Sequence, residues 1–238
     1  TLANDPDLRR YQLTYSNLEN SALPTAITQA KQIGFYVQDE IQLYPNFKLT
    51  AGLRVDVPSF KQTALNNSQV AGYSFKDEAG NPISLSTSEL PKTQALWSPR
   101  VGFNWDVLGD RSVQVRGGTG IFSGRPAFVW ISNQMSNNGI LTGSLRDDNT
   151  TGEYPFSPDV TKYNLPPNPG QPASSYNIAV SDPEFKYPQT WKTNIAVDKT
   201  LPYGIIATAE FIYNKEINNV TYINANLEPA NGTLSGPD

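Results

Sequence analysis

The stretch IGFYVQDEIQLYPNFKLTAGLRVDV, residues 33–57, alternates oily and polar side chains almost without a break. Ile33, Phe35, Val37, Ile41 and Leu43 share one parity, and Phe47, Leu49, Ala51, Leu53, Val55 and Val57 continue it beyond the turn Tyr44-Pro45-Asn46. Gln38, Glu40 and Gln42, then Lys48, Thr50, Arg54 and Asp56, take the other parity. Successive side chains of a strand point to opposite faces, so this is a hairpin with one oily and one polar side. In a soluble sandwich the oily side meets a core and the polar side meets water. In a membrane barrel the oily side meets lipid and the polar side lines a lumen. Alternation alone does not choose between them. Asp39 falls on the oily parity, which calls for either a β-bulge that shifts the register or a polar contact.

The same pattern recurs along the chain. Strands are expected at 10–18, 31–43, 47–57, 97–107, 112–123, 189–199 and 204–213, about seven in all, with no segment of helical period. Most are roughly twice the usual length of about 5–6 residues and match the ~9–11 residues of a tilted transmembrane strand. Their connections are lopsided. Three are tight turns, Tyr44-Pro45-Asn46, Leu108-Gly109-Asp110-Arg111 and Thr200-Leu201-Pro202-Tyr203, while the links 58–96 and 124–188 are long and rich in Pro, Asn, Ser, Thr and Gly. Structureless links beyond about 12–15 residues are uncommon in compact domains. Outer-membrane barrels pair short periplasmic turns with long extracellular loops.

Aromatic placement points the same way. Trp97 and Trp105 share the oily parity eight residues apart, which at about 3.3 Å per residue and a tilt near 45° is roughly 19 Å along a membrane normal. With Tyr44, Phe47 and Trp191 they are placed as girdle residues at the edges of an apolar band. Gln38, Glu40, Arg54, Asp56, Arg100 and Arg116 are placed on the lumen side.

Composition narrows the function. The net charge of −4, without a dense Lys/Arg patch, argues against a nucleic-acid partner. The chain has no His and no Cys, which removes the commonest general base, the thiolate nucleophile and the usual soft metal ligands. No enzyme, cofactor or metal site is expected. Arg116–Arg125, RGGTGIFSGR, matches neither phosphate-loop spacing, and its glycines suit a curved wall. Asp147, Asp148, Asn149 and Glu153 lack a calcium-loop pattern and suit a solvated acidic loop. The Pro-rich run 156–176 reads as a stiffened surface loop. In RPAFVWISNQMSNNG, residues 125–139, a cation, a Trp and several amides lie just beyond a strand end. Arg125, Trp130, Asn133, Gln134 and Asn138 are the candidates there, either for ligand contact or for packing against neighbouring loops.

Several of these stretches resemble one family. GFYVQDEIQLYPNFKLTAGLRVDVP (34–58) resembles the hairpin of TonB-dependent outer-membrane receptors, where an aromatic-x-Gln-Asp strand precedes a Gly-x-Arg-apolar-Asp strand. WSPRVGFNWDV (97–107) is similar to the next strand of that family. VRGGTGIFSGRPAFVWISNQMSNNG (115–139) looks like the long strand and loop of the Oar-like branch, which bears a carboxypeptidase-regulatory domain. Residues 187–227 fit the following hairpin. The resemblance implies an all-β, antiparallel barrel of about 22 strands with a plugged lumen, importing a nutrient with energy delivered by TonB. It implies as partners outer-membrane lipid, the rest of the same barrel and its plug, TonB through a segment not found here, and a surface lipoprotein or other outer-membrane subunit. About seven strands cannot close such a barrel, so the chain is expected to be a wall segment, and both its ends read as cut from something longer. Two other readings stay open: a soluble or surface-attached all-β binding or adhesion module, and a passive porin. On the membrane reading, the intact protein stays with the membrane through salt and alkaline washes and needs detergent for release. Release by either wash, followed on immunoblots of membrane fractions, would falsify it.

Overall fold

Side-chain alternation only has consequences once strands pair, and here the pairing is long and regular. The computed structural model of the chain describes residues 10–20, 24–61, 64–124, 127–148, 154–227 and 232. In chain order the elements are β1 (Tyr11–Ser16), β2 (Ala30–Tyr44), β3 (Phe47–Phe60), β4 (Phe75–Lys76), β5 (Pro82–Ile83), β6 (Leu96–Asp106), β7 (Val113–Ser123), α1 (Val129–Ser136), β8 (Thr142–Asp147), β9 (Gln189–Thr200) and β10 (Ile206–Asn218). Six of them form one antiparallel sheet in the order β10-β9-β7-β6-β3-β2. The sheet is open, with β2 and β10 as its edges, so the described strands do not close a barrel. The eleven residues of β6, at about 3.3 Å each and a tilt near 45°, rise roughly 26 Å, the height of an outer-membrane apolar band. No described helix is long and apolar enough to cross a membrane, which says nothing about crossing by strands.

Cross-strand register joins the oily parities of all six strands into one face. One row runs Ile41, Leu49, Phe103, Gly117, Ile195, Phe211, and the next runs Phe47, Trp105, Val115, Val197, Ala209. Among the described residues nothing covers this face: Phe35 is 67% exposed and Phe211 64%. A soluble sheet buries such a surface against a second layer. This sheet presents it outward, as a lipid-facing wall does. Trp97 pairs with Val55 and Trp105 with Phe47, so the two indoles mark the two heights of the band. Trp191 packs edge-on against Tyr213 at 6.0 Å, and its Nε1 donates to Thr119 Oγ1 at 2.7 Å.

The turn end of the sheet is tied together by side chains. Asn46 Nδ2 donates to the Asp106 carbonyl at 2.8 Å, across neighbouring hairpins. The Asp106 carboxylate accepts the backbone N–H of Gly109 and of Arg111. Those two residues have φ of 76° and 64°, so the turn needs the local capping that Asp106 supplies.

Two expectations are corrected, and of the two alternatives for Asp39 the polar contact, not the bulge, is found. The segment 10–18 is not a wall strand. Its core, β1, pairs with β8 in a separate two-stranded sheet, and the wall sheet has six strands. β1 is only six residues long, too short to cross the band, and its Tyr11 stacks on Tyr154 of the second long link at 4.1 Å. The links 58–96 and 124–188 are not structureless: they carry β4, β5, α1 and β8. α1 has eight residues, too few for a helical period to stand out and too few to be stable alone. Packing supports it instead: its Ile131 and Met135 are buried with Ala64, against Ala26, Phe60 and Leu90. Finally, no bulge moves Asp39. The register runs unbroken through Asp39 opposite Ala51, and the irregularity lies at Gln42/Tyr44 beside the turn. Asp39 therefore stays on the oily face, in the row of Ala51 and Val101, and its carboxylate accepts the Glu40 backbone N–H at 2.9 Å.

Close strand approach depends on glycine at one crossing. A Cβ on Gly120 would lie 2.8 Å from Arg100 Cβ and 3.0 Å from the Pro99 carbonyl oxygen. Gly120→Val therefore forces β6 and β7 apart, at a cost of about 1–3 kcal/mol. The expected outcome is a lower temperature for loss of the compact band in heat-modifiability gels of the folded protein. An unchanged transition would show that the wall yields there without strain.

Candidate functional site

The polar face of the sheet is held by opposite-charge pairs, within β3 (Arg54–Asp56) and across strands (Lys48–Glu40, Arg116–Asp198), and by hydrogen bonds. Arg54 Nε and Nη2 donate to the two oxygens of Asp56 at 2.7 Å each, and Gln32 Nε2 of β2 adds a bond to Asp56 Oδ1 at 3.1 Å. Asp56 is only 3% exposed, and this bidentate partner is what makes its burial tolerable. Lys48 of β3 reaches Glu40 of β2 at 3.0 Å. Further along, Arg116 Nε donates to Asp198 Oδ2 at 2.9 Å and Thr208 Oγ1 donates to Asp198 Oδ1 at 2.7 Å. Asn194 Nδ2 donates to Glu210 Oε1 at 3.1 Å. Arg100 lies over the Phe122 ring at 5.7 Å. Between these groups the bare backbones of Gly102 and Gly118 help open a hollow of about 390 Å³ bounded by Arg100, Lys192, Asn194 and Glu210.

All six residues placed on the lumen side, Gln38, Glu40, Arg54, Asp56, Arg100 and Arg116, lie on this face together. Lys192, Asn194, Asp198 and Glu210 lie there too and were not singled out from sequence. Parity would have found the first three, because they alternate with Trp191, Ile195 and Val197. Tyr36, Phe122 and Ile212 are bulky apolar or aromatic residues on the polar parity, which composition does not foretell.

The two long links fold into one layer at the loop end of the sheet. α1 decides how its residues divide. Ile131, Gln134 and Met135 turn into the layer, whereas Trp130 and Asn133, three residues apart, line a cleft of about 610 Å³. Trp130 is wedged among Phe185 at 5.7 Å, Tyr187 at 6.4 Å and Tyr222 at 6.3 Å. Across the cleft, the Tyr73 and Tyr176 hydroxyls are 3.1 Å apart, and Tyr176 donates to Gln69 Oε1 at 3.0 Å. Asn177, Asn224 and Asn226 add amides to the lining, which among the described residues contains no Asp, Glu, Lys or Arg. Burial, with the neighbouring Tyr73 hydroxyl adding to it, pushes the Tyr176 phenol up to about 12. Burial alone does the same for Tyr187, also to about 12. An ordinary phenol is already neutral at physiological pH, and the upward shift moves both groups further from ionisation.

The candidates of residues 125–139 thus separate. Trp130 and Asn133 face the cleft. Gln134 and Asn138 are 0% exposed, so ligand contact by either is corrected to packing. Gln134 Nε2 donates to the carbonyls of Thr87 and Glu89, and its Oε1 accepts the Ser181 N–H. Asn138 Nδ2 donates to the Met135 carbonyl, while its Oδ1 accepts from Ile140 and Leu141. A short helix with its i, i+3 and i+4 positions turned inward leaves these amides no route to solvent. Arg125 lies outside the described residues, as do Asn149 and Glu153. Asp148 is engaged by Arg10 and Arg146, whose hydrogen bonds hold its carboxyl below the usual range.

No curated protein and no solved structure matches the chain. The family model described as an outer membrane beta barrel domain matches residues 7–237, nearly the whole length. The lipid-facing apolar wall, the charge-paired inner face and this match agree, and the chain belongs to the outer membrane beta barrel domain family, with its place in the bacterial outer membrane.

Proposed function

We propose that this chain is barrel wall and ligand vestibule of a TonB-dependent outer-membrane receptor that imports a nutrient. The observation that carries the reading is the folded loop layer. Links 58–96 and 124–188 are bonded to each other by buried amides, Gln134 to Thr87 and Glu89, and Asn67 Nδ2 to the Asn138 carbonyl at 3.0 Å. A fixed, lined cleft at the outer end of a barrel suits capture of a scarce ligand; a passive pore gains nothing from it. The resemblance of residues 34–58 and 115–139 to TonB-dependent receptors supports the same reading. Its role is transport rather than catalysis, and its partners are lipid, the rest of the barrel with its plug, TonB, and a surface lipoprotein or other outer-membrane subunit.

The full-length protein tests this in two ways. It should capture the periplasmic domain of TonB in a pull-down. Its proteoliposomes should resist osmotic swelling in arabinose and stachyose, because a plugged lumen does not leak. Rapid swelling without TonB capture would make it a passive porin.

A further inference from the structure

The cleft beside α1 has a specific chemistry. Its rings come from Tyr73, Phe75, Trp130, Tyr176 and Tyr222, and its polar side chains are the amides of Asn133, Asn177, Asn224 and Asn226 with the Tyr73 and Tyr176 hydroxyls. Among the described residues, no acid or base of the Asp, Glu, Lys or Arg type lines it. A charged ligand enclosed there would leave water without a counter-charge to meet it, a costly arrangement. A purely apolar ligand would strand the amides. Asn side chains supply donors and an acceptor together, which matches a hydroxyl group, itself both donor and acceptor. Flat aromatic faces match the C–H faces of pyranose rings. Tyr222 and Tyr73 are the exposed rings, while Trp130 is held by its three aromatic neighbours and Tyr73 by the Tyr176–Gln69 cluster. This fixing lowers the ordering cost of binding. A volume of about 610 Å³ takes a short oligomer more readily than a lone monosaccharide.

We infer that this cleft binds a neutral oligosaccharide, stacked on Tyr222 and Trp130 and hydrogen-bonded by Asn133 and Asn224. The inference rests on the vestibule reading above and supplies its ligand class.

The test uses the full-length receptor in detergent and titration calorimetry. The probes are maltohexaose, cellohexaose, xylohexaose and chitohexaose, with hexagalacturonate as the anionic counterpart. At least one neutral probe is expected to bind, and hexagalacturonate to bind at least about tenfold more weakly than it. Trp130→Ala is expected to weaken binding by about tenfold or more, as loss of a central aromatic anchor does. Tyr222→Ala and Asn133→Ala replace exposed side chains, so they keep the test valid if Trp130→Ala disturbs the layer, and each is expected to weaken the same probe measurably. The inference is overturned if no neutral probe binds, if hexagalacturonate binds as well as the best of them, or if Tyr222→Ala and Asn133→Ala leave affinity unchanged. None of these readouts involves TonB. Retained TonB capture with no glycan binding removes only the ligand class, and glycan binding without TonB capture removes only the import reading.

Discussion

Backbone hydrogen bonding without water is the constraint on which this structure depends. In a bilayer core every N–H and C=O must find a partner within the protein, so strands can cross only as part of a continuous sheet that closes on itself. The six long strands satisfy one another through antiparallel registers that shift only near strand ends, at Gln42/Tyr44 and Glu216/Asn218, and the two outer edges, β2 and β10, are where the wall must continue. Once pairing is fixed, parity does the rest. A single register carries Phe35, Leu53, Val101 and Ile195 to one side and Arg54, Asp56, Arg116 and Asp198 to the other.

The two sides then follow different rules. On the lipid side, burial comes from lipid, so large apolar residues stay uncovered by protein and the conventional core moves elsewhere. It is found in the loop layer, around Ala64, Ile131 and Met135. On the lumen side, several charges are kept in opposite pairs, Lys48 with Glu40, Arg54 with Asp56 and Arg116 with Asp198. Asp39 breaks the division. It stands on the lipid parity of an edge strand, midway between the Trp97 and Trp105 rows. A carboxylate in that position costs less than the ~2–4 kcal/mol of an Arg or Lys at the midplane of such a barrel. Its bond to the Glu40 N–H offsets part of that cost.

The cleft depends on the loop layer in the same way that the lumen depends on the sheet. Gln134 and Asn138 are buried in the frame of that layer: Gln134 ties the two links together through Thr87 and Glu89, the Asn138 carbonyl accepts from Asn67 of the other link, and the Asn138 amide holds the turn after α1 through Ile140 and Leu141. Trp130 and Asn133 are presented to the cleft because that frame holds α1 in place. Buried amides act here as spacers between loops, and the same two links are also joined by the Tyr176–Gln69 hydrogen bond and by the Lys92–Glu184 ion pair.

Period-two alternation places the six long strands, their tight turns and the division into an oily and a polar face, because lipid and lumen read single residues locally, although the last strand, expected at 204–213, runs from Ile206 to Asn218. Asp39 on the oily parity is legible in the same way, as are the polar-face charges, Lys192 and Asp198 included. Only the tertiary structure decided that 11–16 pairs with 142–147 instead of joining the wall, that an eight-residue helix forms in a Pro- and Asn-rich link, and that neighbouring residues 130–138 divide between cleft and interior. These outcomes depend on contacts between segments 45 to 138 residues apart in the chain. A long-range partner leaves no periodic trace in the local sequence, whereas a flat apolar environment does.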